Sequence, residues 1–237
     1  MNTPAAVTET VIVEGLSNAE FLERYAAPGR VGLCGGNDLI NKGIRKLQYH
    51  LTADGHRSPW SHAFLCSGRR VDGRHWVLES DLDLAHKQIR LGVQENRIDR
   101  YHADVDFPNL AILDFGLDDT QTQAVLTSGL DLLSGLSHYS LRELLGTLLA
   151  MRHPGLRRRR NLLEREGALY CSAMVQHCYS AAGIEFVAGV DRKNVTPHDI
   201  GACGHARTAY LLVREAGPTG LDEIRGSFER FIHAVSG

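Results

Sequence analysis

No stretch of this 237-residue chain approaches 18 consecutive apolar residues, and its opening (MNTPAAVTET) has neither a basic n-region nor an apolar h-region. The expectation is therefore neither a stable membrane insertion nor a secretory signal, and a protein that is cytoplasmic as synthesised. An excess of charge of one sign is missing too: 26 Lys plus Arg stand against 28 Asp plus Glu, a formal net charge of −2. Without a general basic field to hold phosphate backbones, nucleic acid is not an expected partner. The five cysteines, at 34, 66, 171, 178 and 203, are odd in number and form no CxxC, which argues against a disulfide framework and against a cysteine zinc site. No metal or other cofactor is expected, and free thiols remain. Repeats, low-complexity tracts and linkers are lacking as well, so residues 1–237 read as a single α+β domain with ample length for a core.

What is present punctuates the chain clearly. Ser17 to Glu20 form a capping-box pattern before FLERYAA, and Pro28-Gly29 stops the short helix. GLCGGNDLINKG (32–43) has neither phosphate-loop spacing, so a turn before a short strand or helix is the better reading. Strands are expected at 62–66 (HAFLC) and 75–79 (HWVLE), joined through Asp72-Gly73, and again at 87–91 and 109–115. From Asp118 to His153 the pattern is helical, its last part carrying an apolar stripe of Leu141, Leu144, Leu145, Leu148 and Leu149. Arg157 to Arg160 read as a solvated loop. A helix begins near Tyr170 and runs to Gly183, a strand (209–213) follows, and an amphipathic helix closes the chain.

The stretch GALYCSAMVQHCYSAAGI (167–184) holds the most chemistry. Its apolar positions fit a packed helix with Cys171 in the first turn. A thiol placed there faces unpaired backbone N–H groups and the positive end of the helix dipole, which favour thiolate and can also receive an oxyanion. A free cysteine is more often a small buried hydrophobe, so spacing alone does not settle its role.

A nucleophilic cysteine needs a base. Of twelve histidines, His62 opens a predicted strand, and the next strand ends in Glu79, followed by Asp81 and Asp83. A tight turn at Asp72-Gly73 pairs His62 with Asp83, and an eight-residue loop pairs it with Glu79. In both registers residues 79, 81 and 83 share His62's face, because side chains alternate with period two; a bulge would break that parity. A carboxylate beside an imidazole fixes its tautomer and stabilises the imidazolium.

SPWSHAFLC, then WVLES, then ALYCSAMV after a long helical stretch, with TPHDI near 200, resembles the circularly permuted papain-like hydrolases of the YiiX/YaeF type. In that group the histidine precedes the cysteine, as here. The resemblance covers roughly Gly32 to Ile200 and implies Cys171 as nucleophile, His62 as base and Glu79 as the acidic third member. It also implies a small antiparallel sheet or half-barrel packed against helices, the cysteine helix facing the histidine strand across a cleft. The N-terminal helix and the C-terminal strand and helix would be appendages. The chain departs from the pattern at GGNDLI, where the family has a GD pair leading its first strand, which leaves the start of the core open.

The implied activity is that of a cysteine amidase or peptidase acting on an amide- or peptide-containing substrate through a thioester. Substrate contacts are expected from Tyr170 and Ser172 beside the nucleophile, with Trp60 and Tyr139 as apolar walls. A secreted effector that cleaves peptidoglycan, exported by a signal-independent system and met by an immunity or delivery partner, is one form of this reading. The alternatives are an acyltransferase or lipid or amino-acid conjugate hydrolase on the same dyad, and a non-catalytic binding module that keeps the cleft.

Overall fold

The computed structural model describes residues 9–37, 39–48, 51, 58–80, 92–135 and 171–214. In chain order these form β1 (Glu9–Ile12), α1 (Asn18–Tyr25), β2 (Val31–Gly35), α2 (Leu39–Leu47), β3 (His62–Arg69), β4 (His75–Ser80), β5 (Val93–Arg97), β6 (Asn109–Asp114), α3 (Asp119–Ser134), α4 (Cys171–Ser180), α5 (Pro197–Ala202) and β7 (Thr208–Val213). Two 3-10 turns, Ile98–Tyr101 and Arg192–Asn194, complete the described elements.

The strands make one open seven-stranded sheet among the described residues, in the order β1-β7-β6-β2-β3-β4-β5. Every neighbouring pair is antiparallel except β1 with β7, which runs parallel. Both faces are covered, so β2 is buried at every residue and the inner strands read as continuous apolar runs rather than as alternation. One face carries Leu33, Ala63, Leu65, Leu78, Ala111 and Leu113 against Val125 of α3 and Met174, Val175, Cys178 and Tyr179 of α4. The other carries Cys34, Phe64, Cys66, Val77, Leu110 and Ile112 against Phe21 and Leu22 of α1 and Ile98 and Tyr101 of the first 3-10 turn.

Local sequence explains the ends of the elements. Ser17 and Glu20 form the expected reciprocal capping box, and α1 closes at Ala26, two residues before Pro28. Asp118 with Gln121 and Thr196 with Asp199 repeat the device at α3 and α5. At Gly129 a Cβ would meet Leu78 Cδ1 at 2.8 Å, so a larger residue there would require the Leu78 side chain to shift as α3 packs on the sheet.

Three features differ from expectation. The sheet is open and larger than the small sheet or half-barrel anticipated. β7 is an inner strand and α1 seals one face, so both segments expected as appendages contribute to the core. β5 falls at VQENR, a polar segment without apolar alternation, whereas the strand expected at 87–91 lies outside the described residues, as do the leucine stripe, the four arginines and the C-terminal helix. No helix among the described residues is long and apolar enough to cross a membrane.

Candidate active site

The β3–β4 hairpin decides which side chains meet. At its turn Arg69 pairs with His75 and Gly68 with Trp76, while Gly73 N–H donates to the Arg70 carbonyl at 2.9 Å. Continued without interruption, that register would set Leu65 opposite Glu79 and turn Glu79 away from His62. A bulge between Cys66 and Gly68 shifts the ladder by one residue, so Leu65 pairs with Leu78 and the next step places Phe64 opposite Glu79. His62 and Glu79 then share a face as diagonal neighbours. Neither register considered from the sequence is the observed one. The bulge, expected to break the parity, restores what the turn had broken. Gly68 sustains it at φ +107, with the place of a Cβ only 3.0 Å from Pro28 Cγ.

His62 Nε2 lies 2.9 Å from Glu79 Oε2. Glu79 is fully buried, and the Tyr101 hydroxyl also donates to Oε2. Asn96 Nδ2 and Arg100 Nη1 donate to Oε1 at 2.8 and 2.5 Å. Burial is the largest influence on this carboxyl and pushes its pKa up. The hydrogen bond and charge of His62, the Arg100 guanidinium and the Tyr101 bond together outweigh it and hold the pKa at about 2. An ionised carboxylate only accepts, so Nε2 carries a proton, and in the neutral ring the basic lone pair is then on Nδ1.

Cys171 is the first residue of α4 and the only one of the five cysteines that is not buried. Burial pushes the thiols of Cys66, Cys178 and Cys203 up to about 12, which leaves them protonated. Cys34 pairs with His62 across β2 and β3 but has no exposed surface.

Near its far end α4 is tied to β3 through Gly29. Tyr179 donates its hydroxyl to the Gly29 carbonyl, and Gly29 N–H donates to the Cys66 carbonyl at 2.9 Å. From there Cys171 is eight residues back, about 12 Å along the helix axis, and His62 is four residues back, about 13 Å along β3. α4 packs on the Leu65 and Leu78 face, while the His62 ring joins Phe64 and Tyr101 on the other.

The remaining expected contacts divide. Ser172 is fully buried and donates its hydroxyl to the Val195 carbonyl at 2.7 Å, and Trp60 sits in the core with Leu33 and Ile200. Both anchor the protein from within rather than lining an open surface. Tyr139, Tyr170, Asp81 and Asp83 lie outside the described residues. The sequence reading missed Asn96, Arg100 and Tyr101. Their only signal is a polar stretch, ENRIDRY, which by composition belongs to solvent. No family model and no curated protein matches this chain.

Proposed function

We propose that this chain is a cysteine-dependent amidase or peptidase with a permuted papain-like arrangement, in which Cys171 is the nucleophile, His62 the base and Glu79 the residue that orients the base. The observation that carries the reading is the buried, ionised Glu79 bonded to His62 Nε2, in a chain whose one unburied thiol is Cys171 of α4.

In the proposed cycle His62 Nδ1 takes the Cys171 proton and the sulfur attacks the substrate carbonyl. Backbone N–H groups beside Cys171 receive the oxyanion. His62 returns the proton to the departing amine and leaves a thioester. Water, deprotonated by the same nitrogen, then releases the acid and regenerates the thiol. The Glu79 charge stabilises the imidazolium between these transfers. Among amides, peptidoglycan cross-links are the substrate that fits the secreted-effector form of the proposal.

The test is cleavage of peptidoglycan fragments, N-acyl amino acids and ubiquitin-like conjugates by wild type, Cys171→Ala and His62→Ala. The expected outcome is an amide-cleaving activity that falls at least about a thousandfold in either variant. If none is cleaved in a Cys171-dependent way, and iodoacetamide labels Cys171 no faster than Cys34 or Cys66, the proposal is wrong.

A further inference from the structure

Three side chains from one short stretch converge on Glu79: Asn96 of β5, and Arg100 and Tyr101 of the 3-10 turn that follows. A carboxylate offers about four lone-pair directions. Glu79 gives one to His62 and the other three to this stretch. His62 and Tyr101 share the same oxygen, so the hold of Oε2 on the imidazole depends on how much of its charge the phenol draws off. Arg100 withdraws charge from the other oxygen and brings a full positive charge, with its side chain 29% exposed. The Tyr101 ring is fixed by stacking on Phe64 at 4.6 Å and by an edge contact with Phe107 at 5.1 Å. Its carbonyl accepts from the buried Asn18 at 2.9 Å.

We infer that Tyr101 and Arg100 are positioning residues that set the proton affinity of His62 through Glu79, acting from the face of the sheet opposite the nucleophile's helix. Its catalytic meaning rests on the reading of His62 as the base. The wiring itself does not. The titratable and charged groups described around His62 are Glu79 from β4, Cys34 across β2, and Tyr101 and Arg100 from the turn. Cys34 is fully buried, and the proposed cycle adds the Cys171 thiol on the Nδ1 side. Removing the phenol hydrogen bond, or the guanidinium, returns negative charge to Oε2. That charge favours imidazolium over imidazole, so both changes move the His62 titration to higher pH. The direction is the same whether His62 acts as a neutral base or begins as the cation of a thiolate pair.

The experiment is an NMR titration of the His62 ring in the full chain, assigned by its loss in His62→Gln, for wild type, Tyr101→Phe, Arg100→Met and Arg100→Lys. The pH dependence of Cys171 alkylation is followed in parallel. Tyr101→Phe keeps the stacked ring and Arg100 lies near the surface, so at least one variant reports on a folded protein. Tyr101→Phe and Arg100→Met should each raise the His62 midpoint by roughly one pH unit, and the alkylation profile should move the same way. Arg100→Lys should recover most of the wild-type midpoint, because it keeps the charge. An unmoved midpoint in both Tyr101→Phe and Arg100→Met overturns the inference, even where Cys171-dependent cleavage is found. A raised midpoint without any such cleavage upholds the wiring and removes only the hydrolase reading.

Discussion

Leu78 and Glu79 are adjacent on β4, equally buried, and face opposite ways. Leu78 enters an apolar layer shared by Leu65, Met174, Val175 and Cys178, where stability grows with the area removed from water and no single partner is indispensable. Glu79 enters the layer of Phe64, Val77 and Tyr101, where burial of a charge is tolerable only because His62, Tyr101, Asn96 and Arg100 each meet one of its lone pairs. One face of the sheet is held by shape, the other by a set of bonds that must all be present. A fold can keep its stability in the first kind of layer and its chemistry in the second.

Truncating each neighbour to alanine tests that division. Glu79→Ala removes the buried carboxylate to which His62, Asn96, Arg100 and Tyr101 bond and should cost about 3–5 kcal/mol at neutral pH. Leu78→Ala leaves a cavity and should cost about 2–5 kcal/mol. The magnitudes overlap, but the pH dependence separates them. The folded pKa of Glu79 lies near 2, below the ordinary 4.5. Its contribution is therefore complete above pH 4.5 and lost as pH falls from 4.5 toward 2. Urea unfolding across that window should show Glu79→Ala converging on wild type while the Leu78→Ala deficit persists. Parallel curves for the two variants would mean that Glu79 acts by packing alone.

Much of this division was legible in the sequence, for reasons of period. Residues two apart on a strand share a face, which brought His62 and Glu79 together under two different assumed turns. The observed register is a third, with a turn and a bulge whose effects on parity cancel. Cys171 was legible as a helix-start thiol, but its singularity is tertiary, since only packing buries the other four. Asn96, Arg100 and Tyr101 were illegible because a polar stretch reads as solvated, and nothing local says that a buried carboxylate awaits it. β1 (ETVI) escaped for a related reason: its partner, β7, lies about 200 residues away.

Two intermediate changes probe how the bonded layer is assembled. Asn18 is fully buried and donates to the carbonyls of Tyr101 and Phe107 at 2.9 Å, which ties α1 to the turn that reaches Glu79. Asn18→Ala strands these acceptors and should cost about 1–3 kcal/mol by denaturant unfolding. Gly68→Ala places a Cβ at a left-handed backbone position against Pro28, with a cost of about 1–3 kcal/mol. The second should also disturb the bulge that aligns Glu79 with His62. The His62 titration of Gly68→Ala should then drift toward that of Glu79→Gln, whereas a variant equally destabilised on the Leu78 face should leave it in place.

The smallest expected effect comes from an ion pair outside both layers. Arg74 Nη1 lies 3.1 Å from Asp99 Oδ2, with side chains 54% and 40% exposed. Arg100, in the same turn as Asp99, meets a carboxylate that has no exposure at all. Water screens the first pair and holding two long side chains in register costs entropy, so Arg74→Ala should change stability by less than about 1 kcal/mol and lose even that in high salt. Arg100→Met removes a charge from a carboxylate that water cannot reach, and its effect on stability should survive 0.5 M salt, a concentration at which the screening length is only about 4 Å. If the two variants respond alike to salt, solvent reaches Glu79. The contrast between a layer held by area and a layer held by bonds would then collapse at its most buried member.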